Sequence, residues 1–196
     1  LKNAPMIHLL FHALLAVNMP NIPPIQPIHT VESTLKSEIK VIKDLNANNK
    51  PFVYVNLDSG KEIGPEQAKS TEWDLAFSKT TIVTNGGSSG PGAGSAQIIE
   101  KDFDQITEVP TEGFVVDKEN KLGIPSGSGA SWYNYDLNVH AIVPIPERTI
   151  LIKTAAGRIV KLQIISYYKG APEQVPTEES SFYTFRYSFA DTNGKF

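Results

Sequence analysis

Ser181 to Ala190 reads SFYTFRYSFA, and its alternation decides the fold. Tyr183, Phe185, Tyr187 and Phe189 fall on one face, and Thr184, Arg186 and Ser188 on the other. Successive side chains of a strand point to opposite faces, so this pattern predicts a buried aromatic face and a wet polar one. The segment before it agrees. Thr149–Lys153 and Arg158–Tyr167 flank Ala155-Ala156-Gly157, a short glycine-bearing connection of the kind that closes an antiparallel hairpin. Within that hairpin Val160, Leu162 and Ile164 make an apolar side against Ile159, Lys161 and Gln163.

Further strands are predicted upstream. Glu38–Leu45 reads as a strand, although Val31, Leu35, Ile39 and Ile42 also fit a helical face. Asn46 to Asn49 is a turn, and Phe52–Leu57 is β-branched and aromatic. Asp58-Ser59-Gly60-Lys61 then turns the chain as a hairpin does. Glu72–Phe77, Thr80–Thr84, Gln97–Glu100 and Phe114–Asp117 complete the predicted strands. Gly86 to Gly94 holds five glycines and a proline, so it cannot be the interior of an element and is expected as a mobile or binding loop. Gly123 to Gly129 is expected to be a second flexible loop. Short strands separated by frequent turns argue for a mainly β fold, an antiparallel two-sheet sandwich or a partly open barrel. Strands and helices do not alternate, which argues against a Rossmann or other α/β fold.

Residues 1–28 differ from the rest. Met6 to Val17 is apolar but shorter than the roughly 20 residues that span a bilayer. It reads either as a signal-peptide core without a clear basic flank or as a short helix packed on the domain or a partner. Pro20, Pro23, Pro24 and Pro27 follow, and they favour extended chain over helix. The division expected is an irregular N-terminal arm over 1–28 and a β domain over 29–196.

The chain has 196 residues, 40% of them hydrophobic and 20% charged, which is long enough for one domain with a real core. A net charge of −3 and the lack of a basic stripe argue against nucleic acid as a partner. There is no cysteine, so disulfides, thiolate metal sites and thiol catalysis are excluded.

Catalytic motifs fail on context. Gly86-Gly87-Ser88-Ser89-Gly90 matches the nucleophile elbow G-x-S-x-G, but Pro91, Gly92 and Gly94 prevent the helix that must follow. The order Ser88, Asp136, His140 imitates a hydrolase triad only on paper. Gly90, Gly92 and Gly94 lack the ending and spacing of a phosphate-binding loop. The carboxylate pairs Asp102/Asp104 and Glu178/Glu179 sit in polar turns. Nothing marks a catalyst. His8 and His12, spaced i and i+4, share one helix face but have no Asp, Glu or Cys beside them to complete a metal site. His29 and His140 are the remaining histidines. Trp132-Tyr133-Asn134-Tyr135 follows a glycine loop and reads either as core or as the floor of an apolar cleft.

The order of short motifs resembles the HmuY family of Bacteroidetes surface lipoproteins, known for binding haem. The motifs are Trp73-Asp74-Leu75-Ala76-Phe77, Thr84-Asn85-Gly86-Gly87, Val109-Pro110-Thr111-Glu112-Gly113-Phe114, Trp132-Tyr133-Asn134-Tyr135, Pro144-Ile145-Pro146-Glu147-Arg148-Thr149 and Tyr167-Tyr168-Lys169-Gly170. The resemblance runs from Ile39 to Phe189. It implies a two-sheet β fold with glycine-rich finger loops that clamp haem. It also implies a non-enzyme at the outer membrane or cell surface, or in the periplasm, of a Gram-negative bacterium. The lipid-bearing cysteine of such a lipoprotein is not in this chain, so the anchor is expected before its start or not at all.

In the family, two histidines, or methionines, hold the haem iron. Here Lys118 to Gly129 contains neither residue type, and Met6 and Met19 lie outside the resembling region. His140 is the one family-like axial ligand expected. Tyr133 and Tyr135 are candidate phenolate ligands, and Trp132 is expected to help wall the porphyrin. A second function follows from the missing ligand. On that reading the chain is a non-catalytic accessory subunit that docks on a TonB-dependent outer-membrane transporter or secretion complex through its β domain and N-terminal arm.

Overall fold

The computed structural model describes residues 37–48, 51–177 and 179–196. Expectations placed on residues 1–28, on His8, His12 and His29, and on Met6 and Met19 lie outside the described residues. The described residues form strands β1 (Ile39–Asn46), β2 (Val53–Asn56), β3 (Lys61–Ile63), β4 (Leu75–Ser78), β5 (Thr81–Thr84), β6 (Ser95–Ile99), β7 (Tyr133–Asp136), β8 (Ala141–Pro144), β9 (Thr149–Lys153), β10 (Ile159–Tyr168) and β11 (Ser180–Phe189). One sheet has the order β1-β11-β10-β9-β6, and the other β3-β2-β4-β5. A separate two-stranded ribbon, β7-β8, was not expected as a sheet of its own. Every pairing is antiparallel.

The fold is therefore mainly β, with two sheets stacked face to face. The alternation in β11 places Tyr183, Phe185 and Tyr187 in the interface, all buried. Phe77 of β4 stacks on Phe185 at 5.5 Å between ring centroids and packs on Tyr183 at 4.9 Å. Val55, Leu57, Leu75 and Ile82 from the smaller sheet meet Ile150, Ile152, Val160 and Leu162 from the larger one. Each such side chain contributes about 1.5–3 kcal/mol by leaving water. The tyrosine hydroxyls keep partners despite burial: Tyr183 donates to the Lys79 carbonyl at 2.7 Å and Tyr187 to the Leu57 carbonyl at 2.9 Å. Burial, with the nearby Asp58 and Asp74 carboxylates, pushes the Tyr187 phenol up to about 12.

Three expectations change. Phe114–Asp117 is not a strand; Val115 makes only a single bridge with Ala96. The reason lies in Asp117, whose carboxylate turns inward to accept Thr84 N–H at 2.9 Å and Gly123 N–H at 2.7 Å. The polar side of β10 and β11 is also not wet. Lys161, Gln163, Thr184 and Ser188 are buried. The one-turn 3-10 helix Phe103–Gln105 packs on β10 and covers Lys161, while Gln163 donates to the Pro146 carbonyl and Thr184 Oγ1 accepts Asp44 N–H. Lys161 donates to the carbonyls of Phe103 and Ile106 at 3.0 and 2.8 Å, with its ammonium 4.5 Å from the Phe103 ring centroid. Finally, of the mobile or binding loop expected at Gly86 to Gly94, the mobile alternative gives way to a closely packed loop. A Cβ on Gly86 would collide with the Gly94 carbonyl, and one on Gly87, at φ +60°, with the Asp117 carbonyl.

Candidate functional site

The packed loop belongs to an end of the sandwich that three buried polar side chains hold together. Asp74 accepts Leu57 N–H at 2.8 Å and Ala155 N–H at 3.0 Å, tying the β2–β3 and β9–β10 turns to β4. Asn85 donates to the carbonyls of Ser70 and Trp73 and accepts Gly92 N–H at 3.0 Å. Asp117 supplies the third tie. Desolvation raises the Asp74 carboxyl above its ordinary range, and the two backbone N–H donors oppose that shift. Asp74 and Asn85 lie inside the motifs Trp73–Phe77 and Thr84–Gly87, so those motifs have structural work to do. Sequence reading missed Asp74 and Asp117, although a lone aspartate within an apolar run was a usable signal. Ser88 sits here with its backbone N–H bonded to the Asp117 carbonyl, and no helix follows it. Among the described residues, no cluster of three or more His, Cys, Asp or Glu side chains could hold a metal ion. Asp104 is paired with Arg186 and Glu179 with Lys169.

The opposite end carries the β7–β8 hairpin. Tyr133 pairs with Pro144, Tyr135 with Ile142 and Asp136 with Ala141, which leaves Leu137 to His140 as the tip. Asp136 Oδ1 accepts Asn138 N–H at 2.8 Å, a local turn that aspartate readily makes. His140 closes the turn at φ +53°, a conformation that histidine adopts more often than most residues do. Ser128 Oγ accepts Tyr135 N–H at 2.8 Å, and the Tyr168 hydroxyl accepts Ile142 N–H at 3.0 Å. Both bonds hold the hairpin against the body.

The four site residues expected from sequence separate along this hairpin. Trp132 and Tyr133 are anchors, only 1% and 7% exposed. Trp132 donates to the Thr80 carbonyl at 3.3 Å, and its ring packs on Tyr133, Tyr167 and Tyr183 at 4.7–5.6 Å. The wall expected of Trp132, and the phenolate role expected of Tyr133, thus fall on side chains enclosed in the core. The physical reason is position: the strand leaves the body only after Tyr133. Tyr135 points the same way two residues on and is 41% exposed. Its hydroxyl lies 3.0 Å from Nδ1 of exposed His140, with ring centroids 6.2 Å apart. The structure thus brings Tyr135 and His140 together.

Leu137 and Val139, on the turn between the two, are 74% and 46% exposed. Sequence reading did not single them out. The tip therefore displays an imidazole, a phenol and two aliphatic side chains to solvent. Beside its base, Val143, Pro144, Pro146, Ile165, Tyr168 and Pro172 help line a cleft of about 330 Å³.

No curated protein is significantly similar to the chain in sequence. Several solved structures share its fold. The apo HmuY analog (TFO) of Tannerella forsythia aligns with a TM-score of 0.52 and 16% identity, over 80% of this chain and 96% of that one. Apo PinO from Porphyromonas gingivitis aligns with a TM-score of 0.53 and 13% identity, over 81% of this chain and 99% of that one. The family model described as HmuY protein matches residues 48–187, which takes in the smaller sheet, the β7–β8 hairpin and the larger sheet apart from β1 and the end of β11. The chain belongs to the HmuY family, whose members are haem-binding and transport proteins rather than enzymes.

Proposed function

We propose that the chain binds haem at the tip of the β7–β8 hairpin and serves haem uptake at the outer membrane or cell surface of a Gram-negative bacterium. The carrying observation is the exposed Tyr135–His140 pair, with exposed Leu137 and Val139 on the turn that joins them. Imidazole and phenol are both established donors to haem iron, so the side chains at the tip fit the group. Haem would supply an iron with open axial positions and a flat apolar face. Leu137 and Val139 would cover part of that face, each contributing roughly 25 cal/mol for every Å² withdrawn from water. The hydrogen bonds at Ser128 and Tyr168 keep the hairpin in place for binding, which lowers the ordering cost.

Haemin titration tests this reading through the Soret band. The wild-type protein should shift the band at micromolar haemin. Leu137→Ser combined with Val139→Ser should weaken binding by roughly tenfold or more. An unchanged haemin spectrum with wild-type protein removes the haem reading.

The cleft beside the hairpin favours a second reading. Ile165 is 47% exposed there, among apolar neighbours. On this reading the chain is an accessory subunit that docks on a TonB-dependent transporter or a secretion complex. Co-purification with such a complex from native membranes, together with no response to haemin, would support docking over haem capture.

A further inference from the structure

Two donors lie at the hairpin tip, and the hydrogen bond between them bears on which one takes iron. We propose that Tyr135 is the axial ligand for ferric haem and that His140 is its positioning residue and proton acceptor. This rests on the haem reading above and deepens it.

The bond joins Tyr135 Oη to His140 Nδ1 at 3.0 Å. A phenol is the better donor of the two, and an imidazole nitrogen the better acceptor. With the phenol donating to Nδ1, the neutral ring carries its own proton on Nε2. Neither ring nitrogen then offers a free lone pair. The phenol oxygen, in contrast, needs only to lose a proton whose recipient already sits in place. Were Tyr135 Oη to hold the iron, its O–H bond would break and the proton would pass to His140 Nδ1, 3.0 Å away. The imidazolium would donate that N–H back to the Tyr135 oxygen. Charge balances, because the phenolate neutralises the net positive charge at ferric iron while His140 keeps the proton. No oxidant or reductant is required.

The surrounding residues agree. His140 is the only histidine among the described residues, and no methionine is among them. The described chain therefore offers no imidazole pair to close both axial positions. A single anionic oxygen is a hard ligand that suits ferric iron and binds ferrous iron less well. The turn through Asp136, Asn138 and His140 fixes the imidazole beside the phenol, and the Ser128 bond fixes the Tyr135 backbone.

Resonance Raman and optical spectra of haemin complexes test the assignment, using wild-type protein, Tyr135→Phe and His140→Ala. Both side chains are solvent-facing, and circular dichroism checks that each variant is folded. The wild type should show phenolate ring modes and a phenolate-to-iron charge-transfer band. Tyr135→Phe should lose both. His140→Ala should keep the phenolate modes while binding haemin about 10–100-fold more weakly. Dithionite should release haem from the wild type. A wild-type complex without phenolate modes overturns the assignment, as does an imidazole signature that survives in Tyr135→Phe and vanishes in His140→Ala. Those outcomes leave the haem reading standing. Wild-type protein that leaves the haemin spectrum unchanged defeats the haem reading itself, so the two failures are distinguishable.

Discussion

The two ends of the sandwich contrast in what their side chains do. At one end Asp74, Asn85 and Asp117 turn inward and spend their hydrogen bonds on backbone groups of neighbouring turns. At the other, the β7–β8 hairpin extends beyond the core and turns Tyr135, Leu137, Val139 and His140 outward. The glycine-rich end, which draws the eye in the sequence, is architecture. The plainer hairpin displays the chemistry. Motif density therefore marks where the fold is hard to build, and exposure of reactive and apolar side chains marks where a ligand can be met.

Substitutions can break this contrast, beginning with the largest effect. Trp132→Ala removes the anchor of the hairpin and opens a cavity between the sheets. Denaturant titration should show a loss of about 3–5 kcal/mol, with haemin binding impaired as well. Asp74→Ala leaves the N–H groups of Leu57 and Ala155 without their acceptor. It should cost about 2–4 kcal/mol, while the haemin affinity of the folded fraction stays at the wild-type value. A haemin defect in that variant would mean that the ends are not independent. Leu137→Ser with Val139→Ser should do the reverse, holding stability within about 0.5 kcal/mol while weakening haemin.

A smaller effect is the pH dependence of Asp74. Its carboxyl in the folded protein titrates above the ordinary 3.8, chiefly through desolvation. The folded state therefore holds this proton more tightly than the unfolded chain does. The resulting stabilisation is complete below about 3.8 and is lost as pH rises through the raised value. The stability difference between wild type and Asp74→Asn should shrink across that window on raising pH. A difference that grows instead would mean that the backbone donors outweigh desolvation.

Much of the fold was legible because strand alternation is a local property. Tyr183, Phe185 and Tyr187 face the core as their spacing predicts, and the Ala155–Gly157 connection joins β9 to β10. The cover over Lys161 was not legible, because Phe103 and Ile106 arrive from nearly sixty residues away in sequence. Nor does composition distinguish Trp132 and Tyr133 from Tyr135. All three are aromatic and close in sequence, and only the point where β7 leaves the body separates anchor from display. His140 and Tyr135 were legible as candidates, but their contact depends on the turn at Asp136 and the left-handed backbone at His140.

Hydrogen exchange with and without haemin tests the division between the two ends most directly. Amide exchange at Tyr135–His140 should slow when haemin is present, and exchange at Gly86–Gly94 should stay unchanged. Protection centred on Gly86–Gly94, or none at the hairpin tip in a haemin-saturated sample, would contradict that division.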